Sequence, residues 1–281
     1  MSPVIQKLRV GLIGCGRRGT TLLSILQSLP AVDVAEVADV DAHAVEQLVR
    51  TAGVTGFDPT RETWRVRPDL IVIATPPQDR AQLVQRFAEP GVRAMFVEKP
   101  LALTLWEADR MLDSCRAADI QLAVGHHWRF CPALRELRAL IDADRLGEIE
   151  SIHTSCYGNL FDQGWHLLDA VRWLLGSAVV EWAAAHGTSD RDDLARLTGG
   201  ESLPDPDPHH PAPVWMSAEL GLSRNVRMHI EAGPLLRRTG ARLGDWHERK
   251  LTVIGSLGTA ECRPGHYLKF HSATGGSQHV E

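Results

Sequence analysis

The first chemistry in this sequence is a charged pair where an apolar strand should end. In VRAMFVEKP (92–100), Glu98 and Lys99 follow a hydrophobic run, so burial at a strand terminus is expected of them. A lysine placed there can hold a hydroxyl and stabilise the oxyanion that develops on it during reaction. Taken alone, Glu98-Lys99-Pro100 reads more readily as an ordinary ion pair at a strand end, and Pro100 admits a cis Lys-Pro bond. The second constellation lies in FDQGWHLLDAVRWLLG (161–176), where His166 and Asp169 stand four and seven residues after Asp162. On a helix those offsets put all three side chains on one face, while Leu167, Val171 and Leu174 form the opposite, core-facing one. An acid and an imidazole one turn apart suit proton transfer. His166 would exchange the proton of a reacting hydroxyl, and Asp162 would orient it or tune its pKa. The same set could be a satisfied core histidine with capping aspartates. It could also ligate a metal, but no further His or Cys at ligand spacing accompanies it, so no metal is expected.

The elements that must position these groups alternate along the first half of the chain. LRVGLIG (8–14) is a short apolar strand pattern, followed by a helical one with Leu22, Leu23, Ile25 and Leu26 on one side. Strands are predicted over 32–38, 69–77, 92–100 and 120–125. Helices are predicted from DAHAVEQLVRTAG, stopped by Gly53, over 78–89, and over 104–118. Thr104 with Glu107 three residues later has the spacing of a capping box. Strands and helices of these lengths imply a parallel, doubly wound α/β sheet, whose ligands bind beyond the carboxyl ends of the strands.

Two of the most distinctive segments fall on that edge. One is EKP; the other, Gly14-Cys15-Gly16-Arg17-Arg18-Gly19, has the G-x-G-x-x-G spacing between the first strand and the first helix. Gly14 would permit a tight turn, Gly16 would let the backbone approach a pyrophosphate, and Gly19 would let the helix pack closely, with helix amides facing the phosphates. Asp39 lies 20 residues after Gly19 at the end of the second strand. A carboxylate there accepts from ribose hydroxyls and repels a 2′-phosphate; neighbouring Asp41 is the better candidate to cap the next helix. NAD is therefore the expected cofactor. Arg17 and Arg18 could each meet the pyrophosphate or a 2′-phosphate, or be solvated, and they keep NADP open.

Bulk properties exclude several classes. Thirty basic against 35 acidic residues give a net charge of −5, which argues against a nucleic-acid partner. Five scattered cysteines without a CxxC pair fit reduced, buried thiols of a cytoplasmic protein. The N-terminus is too short before the first strand to read as a signal peptide, and no apolar run has the length of a membrane span. Residues 187–213, with SLPDPDPHHPAP, read as a polar, proline-rich loop in which His209 and His210 are solvent-exposed.

Together these segments resemble the Gfo/Idh/MocA (glucose-fructose oxidoreductase / inositol dehydrogenase / rhizopine catabolism) family of oxidoreductases. The resemblance runs through VGLIGCGRRG, ADVD around Asp39, IVIATPP, VEKPLALT, GHHWRFCPALRELRALIDADRLGEIESI, DQGWHLLDAVRWLLG and LTVIGSLGTAECR. EKP followed by the Asp–His helix is its most specific part. It implies an NAD(P)-binding Rossmann domain over 1–125. A substrate-binding and oligomerisation α+β domain over 126–281 would follow, built on an open, largely antiparallel sheet and shortened at its C-terminus. By the same resemblance Lys99, His166 and Asp162 are catalytic, Asp169 supports them, Thr75 and Pro76 line the nicotinamide side, and Glu98 belongs to the cofactor edge. Arg129 is expected near the active site, and Trp128, Trp165 and His127 are expected to line a sugar-stacking pocket. The sequence departs from the family at Arg80, where a histidine is usual, and at His126-His127, where small or amide residues are usual. It leaves little chain after Arg263 for a last strand and terminal helix.

The implied activity is hydride transfer between nicotinamide and a hydroxyl or keto carbon of a sugar, sugar nucleotide or cyclitol, in a homo-oligomer assembled through the C-terminal sheet. Two alternatives stay open: a redox-neutral glycosidase-type enzyme with tightly bound NAD, and a non-catalytic NAD-binding regulator. Keeping Lys99, Asp162 and His166 together weighs against the regulator.

Overall fold

The computed structural model describes residues 7–190, 192–193, 196, 212–233 and 249–280. The chain forms two compact units, Met1–Gly125 and His126–Glu281.

In the first unit every strand is parallel, and the two central ones, Leu8–Ile13 and Leu70–Ile73, are buried along most of their length, which is why they read as apolar runs. The strands are β1 (Leu8–Ile13), β2 (Val32–Ala38), β3 (Thr55–Phe57), β4 (Leu70–Ile73), β5 (Ala94–Val97) and β6 (Gln121–Val124), in spatial order β3-β2-β1-β4-β5-β6. Helices α1 (Arg17–Ser28) and α2 (Ala42–Ala52) cover one face through Leu23, Val45 and Leu48, packed on Val10, Leu12, Val37 and Val72. On the other face α3 (Arg80–Phe87) and α4 (Leu105–Ala117) place Val84, Phe87, Met111 and Cys115 against Ile13, Ile71, Ile73 and Met95. The sheet grows from β1 toward β3 and then restarts at β4 on the other side of β1. The crevice of this doubly wound sheet therefore opens above the carboxyl ends of β1 and β4.

Local signals set the boundaries. Asp41 accepts from the N–H groups of His43 and Ala44, Gly53 ends α2 in a left-handed conformation, and Thr104 and Glu107 complete a reciprocal capping box. The strands predicted over 69–77 and 92–100 are shorter than expected, because each chain leaves the sheet before its prolines. Pro77–Asp79 form a 3₁₀ turn ahead of α3. The three-residue β3, TGF, has too little pattern to be seen in sequence.

The second unit packs α5 (Pro132–Asp142) and α6 (Trp165–Leu175) on one face of an eight-stranded sheet. Its strands are β7 (Ile149–Cys156), β8 (Val180–Thr188), β9 (Trp215–Leu222), β10 (Val226–Ala232), β11 (Lys250–Gly255), β12 (Gly258–Arg263), β13 (Tyr267–Ser272) and β14 (Ser277–Val280). Their spatial order is β14-β13-β12-β11-β7-β10-β9-β8; all pairs are antiparallel except β7 with β10. Alternation is clear on β10, where one face is solvated. Met228, Ile230 and Ala232 join the core while Arg227, His229 and Glu231 face outward. Two expectations are corrected here. The sheet does not end near Arg263, since β13 and β14 extend it and bury Leu268 and Phe270 in the core. The loop expected to begin at 187 begins later, because β8 runs to Thr188 paired with Trp215. His209 and His210 lie outside the described residues.

Among the described residues no helix is long and apolar enough to cross a membrane.

Candidate functional site

The carboxyl edge of the first sheet collects most of the predicted residues. Gly14 follows β1 with φ +102°, a conformation that favours glycine, and a Cβ there would meet the Ala74 carbonyl carbon at 2.8 Å and the Thr75 nitrogen at 2.9 Å. The loops after β1 and β4 thus touch through their backbones. Gly19, in the first turn of α1, has even less room: an added Cβ would lie 1.8 Å from the Gly14 carbonyl oxygen. Around Gly16 the opposite holds, with nothing within 4 Å of the position a Cβ would take. Gly16 also caps α1 without any side-chain hydrogen bond, and the first turn carries no acid. Uncapped amide groups at the start of a helix, beside a glycine facing open space, fit a pyrophosphate.

Asp39, after β2, accepts from the Cys15 N–H at 2.6 Å and from the Asp41 N–H at 2.9 Å. The carboxylate is thereby aimed at the glycine loop, and its remaining lone pairs are available to ribose hydroxyls. Arg18 donates through Nε to Glu98 Oε1 at 2.7 Å, with its Nη2 at 2.7 Å from the same oxygen, so this arginine and this buried glutamate hold one another. Arg17 is exposed beside it. Lys99 is half-buried, and the Lys99–Pro100 bond is cis. Thr75 and Pro76 follow β4 at the same edge; the Thr75 hydroxyl is buried without a hydrogen-bond partner among the described residues.

In the second unit the pieces are arranged differently from the sequence expectation. Asp162 is not on α6. It lies in a π-helical turn, Leu160–Gly164, opened by Asn159, whose side chain accepts from the Asp162 N–H at 2.8 Å. The Asp162 carboxylate accepts from Gln163 Nε2 at 3.0 Å. His166 is on α6 but only 4% exposed, so it belongs to the buried side with Leu167, Val171 and Leu174 rather than to a face opposite them. Its ring stacks on Trp128 (5.0 Å between centroids, 20° between planes) and meets His127 edge-on at 4.8 Å and His126 at 6.2 Å. The turn His127–Phe130 before α5 delivers these rings. Trp165 turns to Phe161, stacking at 5.4 Å.

Asp169 and Arg129 find each other across 40 residues. The Arg129 guanidinium donates through Nε at 2.8 Å and through Nη2 to the two carboxylate oxygens, and this hydrogen bonding raises the Arg129 pKa. His126 Nδ1 stands 3.7 Å from Asp169.

Two residues near these groups were not anticipated. Arg249 lies 5.3 Å from the Trp128 ring centroid; burial lowers its pKa, and the Asp162 charge opposes that shift. Arg80, noted in sequence only as a departure, is 4% exposed and bonded to the carbonyls of Thr75, Glu98 and Pro100. A signal existed for it: residues 80, 84 and 87 form the buried stripe of α3, so a charged residue stood at a core position. Four of the five cysteines are buried and Cys131 is half-buried; burial pushes the Cys15, Cys156 and Cys262 thiols up to about 12. Among the described residues no three His, Cys, Asp or Glu side chains are grouped to hold a metal ion.

Comparison with known proteins agrees with this geometry. Residues 8–126 match the Gfo/Idh/MocA family, described as "Oxidoreductase family, NAD-binding Rossmann fold". Inositol 2-dehydrogenase of Rhizobium meliloti (strain 1021) is 30% identical over 193 residues, covering 63% of this chain and 58% of that protein. The rhizopine catabolism protein MocA of Rhizobium meliloti is 28% identical over 198 residues, covering 64% of this chain and 61% of that protein. The chain thus spans less than two thirds of the length of either relative. The crystal structure of an oxidoreductase from Agrobacterium radiobacter, in complex with NAD+, L-tartaric acid and magnesium, superimposes with a TM-score of 0.77 at 19% identity. It covers 98% of this chain and 79% of that one, a likeness of fold. The dinucleotide-type glycine loop, the sheet order and the matched residues together identify residues 8–126 as an NAD-binding Rossmann domain of the Gfo/Idh/MocA type, and the chain as a whole is similar in fold to solved oxidoreductases.

Proposed function

We propose that the chain is an NAD-dependent dehydrogenase acting on a secondary hydroxyl of a polyol, a cyclitol or sugar, with NADP as the lesser cofactor. The observation that carries this reading is one sheet edge bearing both the open, uncapped glycine loop and Lys99. When bound, nicotinamide supplies or accepts the hydride. Gly14, Gly16 and Gly19 admit the pyrophosphate. Asp39 accepts from the adenosine ribose, and its charge disfavours a 2′-phosphate. Arg18 is ion-paired with Glu98, which withdraws one of the two arginines that could meet a 2′-phosphate. Thr75 and Pro76 border the nicotinamide side.

In this reading Lys99 holds the reacting hydroxyl and stabilises its oxyanion, and His166 exchanges its proton. The imidazole is held by Trp128 and His127, so its direction is fixed before substrate arrives. Asp162, in the π turn that leads directly into α6, is assigned to orienting the imidazole or tuning its affinity for the proton. Asp169 and Arg129 satisfy each other and are assigned to shaping the wall around His126 and His127. The polyol class is supported by the inositol and rhizopine relatives named above.

The test is absorbance at the reduced-nicotinamide band with purified protein, NAD or NADP, and a panel of inositols, sugars and sugar nucleotides. A rise confined to one cofactor and a narrow group of polyols is expected, lost in Lys99→Ala and His166→Ala while NAD binding persists. Wild-type turnover in either variant removes that residue from the chemistry. Binding of NAD without any turnover, in either direction, overturns the dehydrogenase reading.

A further inference from the structure

We propose that Arg80 is a positioning residue that locks the Glu98-Lys99-Pro100 segment to the Thr75 loop, so that Lys99 and the cofactor edge are set as one rigid piece. The proposal rests on the reading of Lys99 as the residue that holds the reacting hydroxyl and stabilises its oxyanion. Arg80 opens α3 directly after the turn Pro77–Asp79, which returns its side chain beneath the ends of β4 and β5. Nε donates to the Thr75 carbonyl at 2.9 Å and Nη2 donates to the same oxygen, while Nη1 donates to both the Glu98 and Pro100 carbonyls. Four of the five guanidinium N–H donors are thus spent on three main-chain oxygens.

The choice of oxygens is what makes this more than core filling. Glu98 O and Pro100 O bracket Lys99, so the chain is pinned on both sides of the lysine. Thr75 O belongs to the other loop, which abuts the backbone of Gly14. A planar fork is the one side chain that can reach all three at once. Lysine offers a single nitrogen at the end of a flexible stem, and histidine a single directed N–H per nitrogen on a shorter one. Burying a cation is costly unless it is well hydrogen-bonded, and the carbonyls supply that compensation. Burial lowers the Arg80 pKa to about 10 while Glu98 opposes the shift, so the guanidinium keeps all its donors at neutral pH. Glu98 is in turn gripped by Arg18 from the start of α1, which extends the lock to the glycine loop.

The experiment compares full-length wild type with Arg80→Lys and Arg80→Gln. Competitive acetylation with trace acetic anhydride is read by mass spectrometry at Lys99, with Lys250 and Lys269 as internal references. The same proteins are measured for NAD affinity, thermal melting, and kcat and KM on the panel substrate. In variants that melt cooperatively, the Lys99 acetylation rate is expected to change severalfold while the reference lysines do not move. The kcat should fall about tenfold to a hundredfold, the size expected for a misplaced reacting group, with KM changed far less. Guanidinium ion added to Arg80→Ala should restore part of kcat, an effect a general loss of stability does not produce. Unchanged Lys99 acetylation in a folded variant overturns the proposal, as does activity that falls only in step with the folded fraction. Altered acetylation in a chain that turns over no polyol upholds the lock while refuting the dehydrogenase reading, so the two failures are distinguishable.

Discussion

Replacing Gly19 by alanine would build a methyl carbon 1.8 Å from the Gly14 carbonyl oxygen, where at least about 3 Å is needed, so α1 or the loop must shift by more than about 1 Å. The obstructing atom is backbone, and Gly14 sits at φ +102°, so neither side yields easily. Overpacking of this kind costs about 1–3 kcal/mol, and the extreme contact puts it at the top of that range. Alanine recovers about 1 kcal/mol as a better helix former. A net loss of about 2 kcal/mol follows, or roughly 4–8 °C in melting temperature. Gly16→Ala is the control. Nothing lies within 4 Å of its new methyl and its φ of −69° suits alanine, so only a poorer cap, about 1 kcal/mol at most, is lost. Its effect should appear with cofactor. NAD at a hundred times Kd stabilises the wild type by about 2.7 kcal/mol. If the methyl obstructs the pyrophosphate and raises Kd tenfold, the same concentration gives about 1.4 kcal/mol. Urea melts with and without NAD measure all four quantities. An undiminished NAD increment in Gly16→Ala would refute the assignment of that open space to phosphate. A Gly19→Ala chain as stable as wild type would refute the packing argument.

Asp39→Asn keeps an acceptor for the Cys15 N–H but removes the charge, so the NAD preference over NADP is expected to shrink at least tenfold in binding titrations. An unchanged preference would remove Asp39 from the ribose. Asp39→Ala also strips the loop of its anchor and should cost about 1.5–3 kcal/mol of stability. A double-mutant cycle on Arg129→Ala and Asp169→Ala should show a coupling of about 1–3 kcal/mol, and strict additivity would mean that the pair is not formed in solution. With the Cys15, Cys156 and Cys262 thiols pushed up to about 12, the thiolate needed for alkylation is scarce at pH 8 and rises with pH. Native protein should therefore label slowly at these three and fully in urea. Rapid native labelling of Cys156 would contradict its burial.

What the sequence disclosed was what local geometry decides. The Thr104–Glu107 box, the Asp41 cap, the Gly53 stop and the G-x-G-x-x-G turn each involve atoms within a few residues, and each stands where it was expected. The π winding around Asp162 was not legible, because it depends on the Asn159 side chain accepting from the Asp162 N–H at the start of the turn. The pairing of Arg129 with Asp169, the grip of Arg18 on Glu98 and the reach of Arg80 to the Glu98 and Pro100 carbonyls all join residues distant in the chain. No spacing rule contains them. Arg80 shows the one type of clue that survives, a charge at a position the apolar stripe reserves for the core.

The position of β7 has a consequence for the order in which the second unit can assemble. β8, β9 and β10 follow one another in chain and in space, and so do β11 to β14, so each set can zip up from neighbouring contacts. β7 lies between the two sets and provides the hydrogen-bonded link from one to the other. It is also synthesised first, ending at Cys156 about 70 residues before Val226 opens its parallel partner. A nascent chain therefore carries β7, with both edges bare, until its partners emerge, and the helices α5 and α6 on either side of it are the first cover available.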